Sequence, residues 1–212
     1  MAAPTAAVEV CNLALDLLKQ DAITSIDSPT GGTDVICARW YDHVRRATLR
    51  KHPWNFAAKR TTVAPHASAP AFGYSKAYDL PSDFIRLLTI GDDTVNDLQG
   101  KYQLENNQLL FSAADSSSLK IRYVYDYTNV AKMDPLFVDV LAAELALRIA
   151  FKVTGSDEAG EKIKEHLKTI APEAYAIDGQ ERPPQRIQRS KFLDRRRAGS
   201  STRVAGQSTY FD

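Results

Sequence analysis

The run from Pro135 to Val153 constrains this chain more than any other segment. Fourteen of its nineteen residues are hydrophobic, and its only charges are Asp139, Glu144, Arg148 and Lys152. The last three are spaced four apart, so on a helix they form a single ridge. A helix that is apolar nearly all round must be surrounded by protein, inside a bundle or at a contact between subunits. Its limits are written locally. Asp134 is placed as an N-cap, Pro135 takes the first helical position where its missing N–H does no harm, and Gly155 ends the helix.

Three further helices follow from periodicity. Over residues 5–20, Val8, Cys11, Leu15 and Leu18 recur at helical spacing opposite Glu9, Asn12, Asp16 and Lys19, with Thr5 as the N-cap. Asp27–Gly32 is a loop. Thr33 caps a second helix that runs to about Lys51, because Pro53 forces its predecessor out of helical geometry; Ile36, Trp40, Val44 and Ala47 form its apolar stripe. Ser156 caps a fourth helix with Ile163, Leu167 and Ile170 on its buried face. Pro172 kinks it or starts a short further helix to about Asp178.

Between residues 55 and 127 the signal changes to strands. Asn55–Val63 and Phe84–Ile90 read as strands, the second introduced by the turn Leu80-Pro81-Ser82-Asp83, with a loop over Ala64–Ser75. Tyr102–Glu105 and Gln108–Phe111 flank Asn106-Asn107, a pair that tolerates the positive φ of a tight hairpin. Leu119, Ile121, Tyr123, Tyr125 and Tyr127 alternate with Lys120, Arg122, Val124 and Asp126, the clearest period of two in the chain.

Composition narrows the function. With 44% hydrophobic and 25% charged residues the chain resembles an average globular protein. Cys11 and Cys37 cannot staple a fold of 212 residues and are expected to be buried structural thiols. No apolar run approaches a membrane span, and the first residues lack the pattern of a signal peptide. These features imply a soluble protein made in a reducing compartment. Phosphate-binding, dinucleotide, zinc-protease and serine-hydrolase motifs are absent. His43, His52, His66 and His166 lack metal-ligand spacing. No catalytic residue, metal ligand or cofactor site is therefore expected. A carboxylate pair for glycan hydrolysis is a weak alternative, with Asp92-Asp93 read as turn chemistry.

Two charged features invite partners. On the second helix Arg39, His43, Arg46 and Arg50 share a face, with Arg45 and Lys51 beside them. That face is either solvated, with an Asp42–Arg46 pair, or a contact for a neighbouring subunit, an acidic partner or DNA phosphate. The ridge Glu144, Arg148 and Lys152 is a second candidate contact. Residues 181–212 hold eight Lys/Arg against three acidic residues, a charge of +5, which leaves −4 on residues 1–180. Only eight of these 32 residues are hydrophobic, too few to order the segment alone. Its cations suit DNA phosphate. Its apolar anchors, Ile187, Phe192, Leu193, Tyr210 and Phe211, with Arg195, Arg196 and Arg197 between them, favour docking on a protein.

Several segments together resemble one family. Val10–Ile26 resembles the opening helix of head-to-tail adaptor proteins of short-tailed bacteriophages, the tail tubular protein A or gatekeeper-type connectors. Trp40–Ala57, ending in His52-Pro53-Trp54-Asn55-Phe56-Ala57, is similar to their second helix and its exit. Ala77–Arg86 is similar to their Tyr-x-Leu-Pro-x-Asp turn, and Asp134-Pro135-Leu136-Phe137 through Ser156 to their later helical part.

The resemblance implies a virion protein forming a ring of twelve copies. The ring sits between the portal and the tail nozzle protein, assembles in the host bacterial cytoplasm, and passes double-stranded DNA through its lumen without reading sequence. It also implies a C-terminal arm that grips the portal. Hydrolysis credited to some members has no matching motif here. The expected fold is α+β: a bundle of about four helices (1–54 and 132–180), an inserted antiparallel β domain (55–131) and an extended basic arm (181–212). Neither an enzyme nor a membrane protein is expected. The alternatives are DNA binding through the arm and a virion-associated glycan hydrolase.

Overall fold

The computed structural model describes residues 4–91, 93–94, 98, 101–112 and 118–181. Their order is α1 (Ala7–Leu17), α2 (Thr33–Lys51), β1 (Ala58–Val63), β2 (Lys76–Asp79), β3 (Phe84–Ile90), β4 (Asp93–Thr94), β5 (Tyr102–Glu105), β6 (Gln108–Phe111), β7 (Leu119–Tyr125), α3 (Pro135–Thr154) and α4 (Asp157–Gln180). The fold is α+β, with helices at both ends of the described residues and two small antiparallel sheets between them. Through Glu181 the chain is one compact unit. The residues expected to dock on a portal, Ile187, Phe192, Leu193, Arg195, Arg196, Arg197, Tyr210 and Phe211, lie outside the described residues.

α3 is the centre of the bundle, packed against by α1, α2 and α4. Ten of its residues are buried, from Phe137 to Ala150, which satisfies its near-continuous apolar surface within one chain. Asp134 accepts from the Leu136 and Phe137 N–H groups at 2.8 and 3.2 Å, and Gly155 closes the helix at φ 67°. These satisfy backbone groups that a helix end leaves unpaired.

The starts of α1 and α2 differ from the sequence reading, while Ser156 precedes α4 as expected. Ala6, not Thr5, is the N-cap of α1; the Glu9 carboxylate reaches back to the Thr5 and Ala6 N–H groups. Gly32 precedes α2, and Asp34 takes the capping work by accepting from the Thr30 and Gly31 N–H groups. These amide donors hold both carboxyls below the usual range, with backbone hydrogen bonds the largest cause in each. The buried stripe of α2 runs through Cys37, Tyr41, Val44, Thr48 and Leu49, leaving Ile36, Trp40 and Ala47 half-buried. α4 continues through Pro172 to Gln180, because burial of Ile163, Leu167, Ala174 and Asp178 fixes both sides of the proline.

One sheet has the order β1-β7-β3-β4 and the other β2-β6-β5. A second core lies between them, built from residues such as Tyr78, Leu87, Leu109, Ile121 and Tyr123. Asn106 and Asn107, at φ 45° and 58°, turn β5 into β6. β2 falls just after the expected loop and exists through its pairing with β6. β1 begins at Ala58 because residues 54–57 form a turn, with Ala57 N–H donating to the Trp54 carbonyl. Asp93 belongs to β4 rather than a free turn, and Asp92 lies outside the described residues.

The alternation in β7 is real but two-sided. Leu119, Ile121 and Tyr123 enter the sheet core, while Val124, on the face expected to be polar, is fully buried in the helical core with Ile85. The β layers are thereby fused to the bundle. Asp83, from the Leu-Pro-x-Asp turn, strengthens this corner. It receives the Tyr123 hydroxyl and the Lys59 ammonium at 2.8 and 2.7 Å. Burial works against its ionisation, but those two bonds outweigh it and hold its carboxyl below the ordinary value.

Candidate interaction surface

The basic face of α2 is partly spent inside the molecule. Arg45 is buried, with Nη1 donating to Asp126 Oδ1 and the Tyr127 carbonyl, both at 2.6 Å, and Nη2 to Asp42 at 3.1 Å. A planar fork with several donors suits this junction, where α2 meets the chain leaving β7. The expected Asp42–Arg46 pair is therefore not formed. Asp42 serves Arg45, and Arg46 Nε lies 3.6 Å from Asp126.

Arg50 donates to the Ile85 carbonyl. In return Arg86 donates to the Arg50 and Lys51 carbonyls at 3.2 and 3.3 Å, placing a cation on the negative end of α2. The charged ridge of α3 also turns toward α2. Glu144 pairs with Lys51, and the Arg148 guanidinium lies 5.2 Å from the centre of the Trp40 ring. Arg39 and Lys152 are exposed.

Between α2 and β3 these residues leave an open groove of about 640 Å³, lined by Arg39, Asp42, His43, Arg46, Arg50 and Phe84 among others. The sequence-expected cations Arg39, Arg46 and Arg50 thus share one concavity, while Glu144, Arg148 and Lys152 do not line it. Three guanidiniums against one carboxylate give the groove a positive potential that suits an acidic partner.

A second feature fixes the point where the arm begins. Asp178, buried near the end of α4, meets His52 Nε2 at 2.8 Å through Oδ2 and accepts from the Asn55 N–H at 2.8 Å through Oδ1. The Asn55 side chain donates to the Asp178 carbonyl at 2.6 Å. His52 stacks on Tyr175 with ring centres 4.6 Å apart. Trp54, fully buried, meets Phe137 edge-on at 5.0 Å and donates to the Thr48 carbonyl at 3.3 Å. The His-Pro-Trp-Asn segment therefore ties the last turns of α4 to the exit of α2. Sequence reasoning missed Asp178. The available signal was an acidic residue near a helix C-terminus, where the dipole disfavours it without a partner.

Cys11 and Cys37 are buried and unlinked, as expected of structural thiols. Among the described residues no group of His, Cys, Asp and Glu side chains could hold a metal ion, and no helix is long and apolar enough to cross a membrane. Large apolar side chains remain exposed: Phe72, 88% accessible in the loop before β2, and Phe151, 65% accessible near the end of α3. No protein-family model matches the sequence, and no curated protein matches it.

Proposed function

We propose that this chain is a structural virion protein, a head-to-tail adaptor that assembles as a ring between the portal and the tail nozzle protein. The observation that carries this reading is the pair of exposed phenylalanines on unlike elements, Phe72 in the second-sheet loop and Phe151 on the bundle. A closed ring needs two different complementary patches on each copy, whereas a two-fold dimer needs one. Exposed aromatics are the residues that repay burial in such contacts. The α2 groove and the ridge residues Arg148 and Lys152 add charge that sets register between neighbouring copies.

The fixed root of α4 supports the second part of the reading. The +5 segment begins at Glu181, next to this root, and its cations and apolar anchors suit an acidic, apolar socket on the portal. Association is the protein's chemistry in this account, with no cofactor and no turnover. Twelve copies, a virion location and passage of duplex DNA through the lumen come from the adaptor resemblance. The glycan-hydrolase alternative draws no support from Asp79 and Asp83. Hydrogen bonds from Gln108 and His66 lower the first, and Lys59 and Tyr123 overcome burial to lower the second, whereas a general acid needs a raised value.

The test is removal of residues 182–212. The truncated protein should keep the thermal transition of the full chain and lose stable association with portal rings. Unchanged portal affinity would refute the arm's role.

A further inference from the structure

The first 34 residues hold five acidic side chains against one lysine, a net −4, and residues 35–51 hold five cations against Asp42, a net +4. Little of this charge is cancelled between the two stretches. Glu9 and Asp34 serve backbone N–H groups at the starts of α1 and α2. Asp16, Asp21, Asp27 and Arg39 are exposed, and none of these four side chains makes a hydrogen bond or ion pair among the described residues. Arg46, more than half exposed, meets Asp126 at 3.6 Å.

Asp16 lies in the last turn of α1, which holds no basic residue. The helix dipole there makes a carboxylate unfavourable unless a cation comes near it. Asp178, near the end of α4, finds its partners inside the chain in His52 and Asn55, whereas Asp16 has none among the described residues. Beside Asp16, Leu17 is 39% exposed, and Lys19 and Asp21 follow it onto the surface. The α2 groove is the counterpart. It sets Arg39, Arg46 and Arg50 beside the apolar Ala47, Phe84 and Ile85, with Asp42 as its one carboxylate. Duplex phosphate would use the cations and be repelled by Asp42. Residues 16–21 match the whole lining: carboxylates for the arginines, Leu17 for the apolar side chains and Lys19 for Asp42.

We propose that residues 16–21 of one copy dock in the α2 groove of a second copy of this chain. Two unlike patches joined in this way form a head-to-tail contact, which closes into a ring or continues as a filament. The contact deepens the adaptor reading and rests on it for closure into a ring. It assigns the α2 groove to a neighbouring subunit rather than to the portal or to DNA.

Two charge-reversed chains test the contact, Arg39→Glu/Arg46→Glu in the groove and Asp16→Lys/Asp21→Lys at the end of α1. Sedimentation velocity over a concentration series measures self-association of the 212-residue chain at about 50 mM salt, where screening is weak. Either variant alone brings like charges together at every contact, so its dissociation constant should rise about tenfold or more. Mixed in equal amounts, the two should regain the association of the wild type, because each groove then meets an opposite charge and the copies alternate. All four substituted side chains are exposed, so both variants should melt close to wild type. Arg39→Glu breaks no pair inside the chain and should by itself weaken association about threefold or more, which keeps the test valid if the double variant melts lower.

Self-association that is unchanged in either variant, or not regained in the mixture, overturns the proposal. So does a wild type that stays monomeric both free and on portal rings. Binding of a random-sequence DNA duplex that is lost in the groove variant, with self-association intact, reassigns the groove to phosphate and overturns it as well. Wild-type rings on portals that neither variant disturbs count against this contact alone. Recovery on mixing, with no ring formed on portals, supports the contact and counts against the adaptor reading.

Discussion

Replacing Asp178 by Ala tests how the bundle is closed. The carboxylate contacts His52 Nε2 and the Asn55 N–H, each at 2.8 Å, from a site whose side chain is only 5% exposed. Hydrogen bonds to a charged acceptor contribute about 1.5–3 kcal/mol each, so the two sum to about 3–6 kcal/mol. The substitution also removes a negative charge near the negative end of α4 and adds a better helix former, together worth about 1 kcal/mol. The net expectation is a loss of about 2–5 kcal/mol. For a body of this size that corresponds to a fall of about 4–20 °C in Tm.

Urea and thermal unfolding measure the loss, and amide exchange locates it. Protection should fall over the last turns of α4 and at residues 52–57, with the β core little changed. Asp178→Asn, which keeps an acceptor for the Asn55 N–H, should recover part of the loss. A variant Asp178→Ala within about 0.5 kcal/mol of wild type would refute the claim that this junction holds α4.

Other substitutions probe separate junctions. Arg45→Met should cost about 2–4 kcal/mol in urea unfolding, below the full buried-pair penalty because Asp126 is a quarter exposed, and Arg45→Lys should not restore it; a loss under about 1 kcal/mol contradicts this. Tyr41 buries a hydroxyl with no partner among the described residues, and burial pushes its pKa up to about 12. Tyr41→Phe should therefore be neutral or stabilise by about 1 kcal/mol, and a clear loss shows a missing bond. Asp34 has its carboxyl pKa lowered on folding, so its ionised form contributes stability above the unfolded value near 4. That contribution disappears as pH falls through the lowered folded value. The stability gap between wild type and Asp34→Asn should narrow on acidification, and a gap constant from pH 7 to pH 2 refutes the assignment.

What could be read from the residues was local. Asp134-Pro135, Gly155 and Asn106-Asn107 each specify a cap or turn by their own backbone chemistry, and all hold in the structure. The limits of β3, β5 and β6 and the end of α2 follow from the same kind of signal. The errors arise where tertiary contacts decide. The stripe of α2 was misjudged because its buried side includes Asp34, Arg45 and Thr48, polar residues whose partners are distant in sequence or on the backbone. Val124 looked exposed because a period of two cannot show that the far face of β7 meets a helical core. β2 has four residues and no alternation of its own. The α2 cations were legible as a face, but the groove they line depends on β3 packing beside them.

The most direct test of the account is an electron micrograph of the purified 212-residue chain mixed with the portal protein of a short-tailed phage. The adaptor reading predicts a second ring of about twelve copies stacked on each portal, lost when residues 182–212 are removed. Bare portal rings beside a monomeric protein would contradict it.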